Sequence, residues 1–242
     1  MRAPLLEAFR HYLHAQADAS RPGDTPPRLA LTISRETGAG AVTVAQLVAD
    51  LLQQTEKAAG AKPWAVFDAN LAEQVLADHN LPLRLERFMT EDARLPAESV
   101  VEEVLGLHPP HWTLVQHTTD TILRLAAMGN AILVGRGSSV IAARMHHVFH
   151  VRLVAPVTDR IAHVASYYHL DEPEASKLVR NKDEGRRRYL RRYFNAEIDD
   201  ATLYDLTLNT GRLGVARTAQ IIAEAAQKHR NDPHRSERAG VT

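Results

Sequence analysis

Residues 29–43 read LALTISRETGAGAVT. An apolar run, Leu29 to Ile33, has the composition of a buried strand. It empties into a polar turn that carries Gly38 and Gly40. From Thr43 onward Val44, Leu47, Val48, Leu51 and Leu52 fall on one helical face. The order is strand, glycine loop, helix. Glycines at such a junction let successive backbone N–H groups face an anion at the helix N-terminus. A phosphate loop of pattern GxxxxGK[ST] adds a Lys for the terminal phosphates and a hydroxyl for Mg²⁺. Laid on that pattern, Arg35 takes the place of the first glycine and Ala41 that of the Lys, with Thr43 two places on. The strict pattern is not met, while the strand–loop–helix order is. An ordinary βα turn that uses glycine is the other reading of this loop taken alone.

The same alternation runs through the rest of the chain. WAVFD at 64–68, AILVG at 131–135, VFHVRLV at 148–154 and LYDLTLN at 203–209 read as strands. Helical patterns follow through Leu71, Val75 and Leu76, and again near 214–228 with Ile221 and Ile222. Short apolar strands separated by helices predict βαβ units, a parallel sheet of about five strands and helices on both faces. Two stretches interrupt the alternation. Residues 82–128 carry only helical patterns, and residues 171–195 are strongly basic. Both are expected as inserted, mobile pieces over the C-terminal ends of the strands, where ligands bind in such sheets. Residues 1–19 read as a helix with an apolar stripe, residues 20–27 (SRPGDTPP) as a linker, and residues 229–242 as a polar tail.

Composition narrows the function classes. The 242 residues, 45% hydrophobic, suffice for one large domain and exclude wholesale disorder. Lys plus Arg and Asp plus Glu both number 29, which argues against nucleic acid or a membrane surface as the main partner. The absence of cysteine excludes disulfides, thiolate metal sites and thiol catalysis, and fits a reducing compartment. No apolar run is long enough to span a bilayer, and Glu7 interrupts the N-terminus, so a cytoplasmic location is expected. Self-association is left open.

From these residues the chain resembles the cytidylate-kinase-like family, a divergent branch of the nucleoside-monophosphate kinases. The resemblance is carried by ISRETGAG at 33–40, FDANLAEQV at 67–75, ILVGRGSSVI at 132–141, KDEGRRRYLRRYF at 182–194 and YDLTLNTGRLG at 204–214. It spans about residues 29–225 and implies a three-layer α/β P-loop kinase fold with a helical monophosphate-binding insertion and a helical lid. It further implies phosphoryl transfer from ATP, with Mg²⁺, to an acceptor such as CMP or dCMP. Arg35, Gly38, Ala39, Gly40, Ala41, Val42 and Thr43 then form the phosphate loop, with Thr43 at the metal. Arg136 matches the GR that holds the monophosphate in cytidylate kinases, where the following Asp, which reads the base, is Gly137 here. Asp68 matches the acidic residue that ends the second strand, which implies a role in orienting the acceptor or a water on the metal. Asp183 and Arg186 match the D-x-x-R spacing of the lid and, with Arg136, are the expected catalytic residues. The chain departs from the family at Ala41-Val42, where no cation follows the glycines. Arg35, Arg136 or a lid arginine is then expected to supply the charge. A kinase-derived protein that binds nucleotide or a partner without turnover is the competing reading.

The basic stretch contains Arg180, Lys182, Arg186, Arg187, Arg188, Arg191 and Arg192. On a helix Arg187 and Arg191 share a face, as do Arg188 and Arg192. An arginine lid over phosphates, a solvated helix and a nucleic-acid patch are the three readings, and the upstream loop favours the first. Tyr189 and Tyr193 share a face and are expected to pack on the core. His146, His147 and His150 flank or enter a strand, where alternation separates them and argues against a metal site. His108 and His111 are expected at the surface, and Glu102-Glu103 on a solvated helix face.

Overall fold

The structure, a computed structural model, describes residues 28–56, 62–68 and 111–232. The expected N-terminal helix and linker, the helix through Leu71 and Val75, most of the 82–128 insertion with Glu102, Glu103 and His108, and the end of the polar tail lie outside the described residues.

Five strands form one parallel sheet: β1 (Ala30–Arg35), β2 (Ala65–Phe67), β3 (Ala131–Val134), β4 (Val148–Val154) and β5 (Leu206–Asn209), in the order β2-β3-β1-β4-β5. The helices are α1 (Ala41–Thr55), α2 (His111–Met128), α3 (Ser138–Ile141), α4 (Val157–Tyr168), α5 (Glu172–Phe194), α6 (Thr210–Leu213) and α7 (Val215–Arg230). β1 lies at the centre, and its residues 30–34 are buried. Both faces of the sheet are covered, which is why β1 and β4 read as nearly continuous apolar runs. On one face α1 and α7 contribute Val44, Val48, Leu52, Ile222 and Ala226 to a cluster with Leu31, Ile33, Val134 and Val151. On the other, Ile122, Leu125 and Ala126 of α2 pack with Ala30, Phe67, Leu133 and Val148. This is the three-layer α/β P-loop kinase architecture.

Parallel register brings the strand ends together. Ile33 sits beside Val134, and Arg35 beside Leu153. The Gly135 N–H donates to Ile33 O (3.0 Å) and the Glu36 N–H to Leu153 O (3.0 Å), so three loops leave the sheet side by side.

Three expectations change. Residues 111–128, expected as the end of a mobile insertion, form an 18-residue helix whose apolar face completes the core under β1 and β3. Residues 203–205 do not begin β5. Asp200 instead caps a 3₁₀ turn (Ala201–Leu203), accepting from the Thr202 N–H (2.9 Å). Helix α1 starts two residues before Thr43, because Gly40 takes the left-handed conformation and serves as its N-cap. α5 is one continuous 23-residue helix, opened by a capping box at Asp171 and Glu174. It packs on α4 through Val164, Ala175 and Val179.

Candidate active site

The loop between β1 and α1 is wound tightly. The Ala39 N–H donates to Glu36 O (3.2 Å), and Gly38 and Gly40 have φ of 86° and 74°. At Gly38 the requirement for glycine is twofold. Its conformation disfavours an L side chain, and a Cβ there would lie 2.5 Å from the carbonyl oxygen of Arg160 on α4. No side chain caps α1. The first N–H groups of a helix have no intrahelical acceptor, and they carry the positive end of its dipole. Residues 35–43 line a cleft of about 530 Å³ at this end of the helix.

The shape of the loop is fixed from α4 and α5. The carboxylate of Asp183 accepts from the Thr37 N–H (2.8 Å) and the Thr37 hydroxyl (2.7 Å). Its other oxygen accepts from Arg160 Nη1 (2.6 Å). Arg160, which is buried, also donates to Thr37 O (3.3 Å) and Ala155 O (3.0 Å), and its Nε lies 3.3 Å from Glu36 Oε2. The same Glu36 oxygen accepts from the Ala155 N–H (2.9 Å). Arg186 Nη1 donates to the Thr37 hydroxyl (2.6 Å) and to Asp183 (3.1 Å). Two arginines and two acids thus satisfy one another and the loop backbone, the condition under which buried charges are tolerated. The structure places Asp183 and Arg186, the expected lid pair, against the glycine loop, where their described bonds hold Thr37.

The loop after β3 forms the facing wall. Gly135, Arg136 and Gly137 all have positive φ (80°, 57° and 72°). For Arg136 this is a strained backbone of the kind stored at functional sites. A Cβ on Gly135 would fall 1.9 Å from Nη1 of Arg35, so the absent side chain is the space the Arg35 guanidinium occupies. The Phe194 ring packs over Gly137 in the same way. Arg136, Asp68 at the end of β2, and Thr43 on the first turn of α1 all line the cleft. So do Lys182 and Arg186 from α5, and His163, Tyr167 and Tyr168 from α4. Every site residue expected from the sequence therefore borders this cleft except Asp183, which lies behind the loop.

Most of the other arginines of α5 face away from phosphate chemistry. Arg187 pairs with Asp199 (3.2 Å) and Glu184, Arg188 with Glu184 (3.6 Å), and Arg191 with Glu197 (2.6 Å). The partners Asp199 and Glu197 hold the pKa of Arg187 and Arg191 above the ordinary value, chiefly through these hydrogen bonds. Tyr189 and Tyr193 pack on one another and Tyr189 on Phe194, half-buried at the end of α5, where a place on the core was expected.

The histidines part company. His146 is exposed, His147 bonds Ala126 O (3.0 Å), and His150 is buried with Nδ1 2.7 Å from the Thr32 hydroxyl. Burial lowers the His150 pKa to about 4, against the opposing pull of Asp205 and with a smaller push from His229. Arg152, also buried, bonds Ser34 (3.1 Å) and Asp199 (2.6 Å) and steadies the end of β1. Sequence reasoning missed Arg160 and Arg152. For Arg152 a signal existed, because a charge within a strand buried on both faces must be paired. Arg160 sits in an ordinary amphipathic helix and leaves no such trace.

A parallel sheet of this order, with a glycine loop at the end of its central strand leading into a helix that no side chain caps, defines the P-loop kinase fold. A profile of the cytidylate kinase-like family matches residues 30–212, and the chain belongs to that family. The cytidylate kinase of Staphylothermus marinus is 27% identical over 103 residues, a match covering 43% of this chain and 58% of that protein. The chain thus spans little more than half the length of that relative. An uncharacterized protein from Eubacterium ventriosum shares the fold with a TM-score of 0.62 at 17% identity, over 83% of this chain and 99% of that one. A shikimate kinase from Acinetobacter baumannii, solved with shikimate, gives a TM-score of 0.48 at 14% identity, over 85% and 96%. Among the described residues no helix is long and apolar enough to cross a membrane.

Proposed function

We propose that this protein transfers the γ-phosphoryl group of ATP to a nucleoside monophosphate, with CMP or dCMP as the acceptor that the family suggests. One observation carries the reading. A single cleft of about 530 Å³ joins the uncapped N-terminus of α1 to Arg136 on the facing loop. A donor triphosphate against the first and a monophosphate on the second would be held within one enclosure, and phosphoryl transfer depends mainly on such positioning and on charge neutralisation.

The residues fit Mg·ATP. Among the described residues no side chain caps the N-terminus of α1, and a hydroxyl (Thr43) and a carboxylate (Asp68), both hard oxygen donors, border the same cleft. Mg²⁺ bound there neutralises charge on the phosphate oxygens. The backbone N–H groups of Gly38 and residues 40–43 bind the donor phosphates, Arg136 holds the acceptor phosphate, and Asp68 orients the acceptor. Asp183 and Arg160 keep the loop in the shape that presents its N–H groups. Gly137 has no side chain with which to read a base edge, so discrimination between CMP and UMP falls to other residues.

The test is ADP release from Mg·ATP with CMP, dCMP, UMP, AMP and GMP, on wild type and Arg136→Gln. Turnover with a pyrimidine monophosphate, reduced about 100-fold or more in Arg136→Gln, is expected. Ala41-Val42 favours one other outcome: ATP raises the melting temperature while no acceptor turns over. That result would replace the kinase with a nucleotide-binding protein.

A further inference from the structure

Ala41 and Val42 leave the glycine loop without a cation of its own. Ala41 is buried, and Val42 points its apolar side chain out, 55% exposed. Among the cations that border the cleft, most are already engaged. Arg186 bonds Thr37 and Asp183. The Arg35 guanidinium fills the space over Gly135. Arg136, which has an interaction of its own, is assigned above to the acceptor phosphate. Lys182 differs: it borders the cleft and forms no ion pair or hydrogen bond among the described residues.

Its neighbour explains its position. Asp183, the next residue, is fixed to the Thr37 N–H and hydroxyl and to Arg160. The backbone that carries Lys182 is therefore anchored to the loop one residue away, while its own side chain is half-buried and directed to the cleft. An ammonium on a flexible four-carbon stem, with three donors and no local acceptor, suits a polyphosphate brought to the loop.

We propose that Lys182 supplies, from α5, the phosphate-directed positive charge that the loop lacks, and contacts the donor's terminal phosphates as a catalytic residue. The assignment rests on the phosphoryl-transfer reading above, and adds the group that neutralises charge on the transferring phosphoryl. The anchor at Asp183 gives Lys182 a fixed origin, so a residue remote in sequence takes the part usually played within the loop.

The experiment compares Lys182→Gln, Lys182→Arg and, as a control for loss of one charge on the same helix, Lys177→Gln. Calorimetry measures binding of ATP, inorganic tripolyphosphate and adenosine, and ADP release measures turnover. Lys182→Gln is expected to weaken tripolyphosphate and ATP at least fivefold and to leave adenosine unchanged. Turnover should fall about 100-fold or more, the usual cost of removing one group that stabilises transition-state charge. Lys182→Arg should retain turnover within tenfold, and Lys177→Gln should match wild type. The proposal is overturned if tripolyphosphate affinity falls less than fivefold in Lys182→Gln, if adenosine is lost in parallel, or if Lys177→Gln loses as much. Failure of wild type to bind tripolyphosphate overturns it as well. A wild type that binds tripolyphosphate through Lys182 but turns over no acceptor retires the kinase reading and keeps the phosphate contact.

Discussion

Replacing Asp183 with Ala should loosen the glycine loop from the helix that holds it. The carboxylate is 14% exposed, and its two principal arginine partners, Arg160 and Arg186, are 10% and 12% exposed. Truncation removes acceptors from the Thr37 N–H, the Thr37 hydroxyl and both guanidinium groups. Removing one partner of a buried pair costs about 3–5 kcal/mol. The lower end applies, because Arg160 keeps Glu36 and the carbonyls of Thr37 and Ala155, and Arg186 keeps the Thr37 hydroxyl. About 3 kcal/mol should lower the melting temperature by roughly 6–12 °C in a chain of this size. Urea unfolding gives the free energy, and hydrogen exchange at the Thr37 amide gives the location. That amide should exchange much faster in the variant, while the amides of β1 and β4 lose protection only as far as global stability falls. A loss below 1 kcal/mol with unchanged Thr37 exchange would refute the clamp.

Gly38→Ala should cost about 2 kcal/mol or more, seen as a lower urea midpoint, because the new Cβ meets the Arg160 carbonyl in a left-handed conformation. The same variant should weaken ATP in calorimetry, since relief of the clash displaces the loop. His150 should make stability pH-dependent on the acid side. Its folded pKa, about 4, lies below the ordinary 6.5, so the unfolded chain binds its proton first. The contribution is complete above pH 6.5 and is lost as pH falls toward 4, by roughly 3 kcal/mol at about 1.4 kcal/mol per pH unit. His150→Asn should flatten that part of a pH-stability curve. Asp205 and His229 act on the same ring and set how far the midpoint moves when either is neutralised.

The sequence disclosed the sheet where burial is two-sided. β1 and β4 are apolar along their lengths because helices cover both faces, and the expected limits of β4 match those observed. It misjudged β5, where Leu203 and Tyr204 look like strand residues but follow a turn that Asp200 caps through its side chain. It read residues 111–128 as helical but placed them in an inserted piece, because threonines and histidines dilute the apolar stripe of Leu114, Ile122, Leu125 and Ala126 that packs on the core. At the site the glycines and Arg136 were legible as a pattern, because backbone conformation restricts residue type. The binding of Thr37 by Asp183, 146 positions away, was not. Nor was the sorting of the α5 cations, since Glu184, Glu197 and Asp199 engage Arg187, Arg188 and Arg191 only once the turn after α5 brings two of those acids back.

The guanidinium of Arg35 lies where Gly135 would carry a side chain, and this makes the two walls of the cleft one mechanical part. A shift at the end of β1 presses directly on the residue before Arg136, and a shift of Arg136 draws on the space that Arg35 fills. A ligand seated on either loop would therefore alter the work of seating the other, and such a coupling is equal in both directions. Gly135→Ala would break this joint by displacing the Arg35 guanidinium from it. Its signature would be two substrates that still bind singly but no longer sense each other.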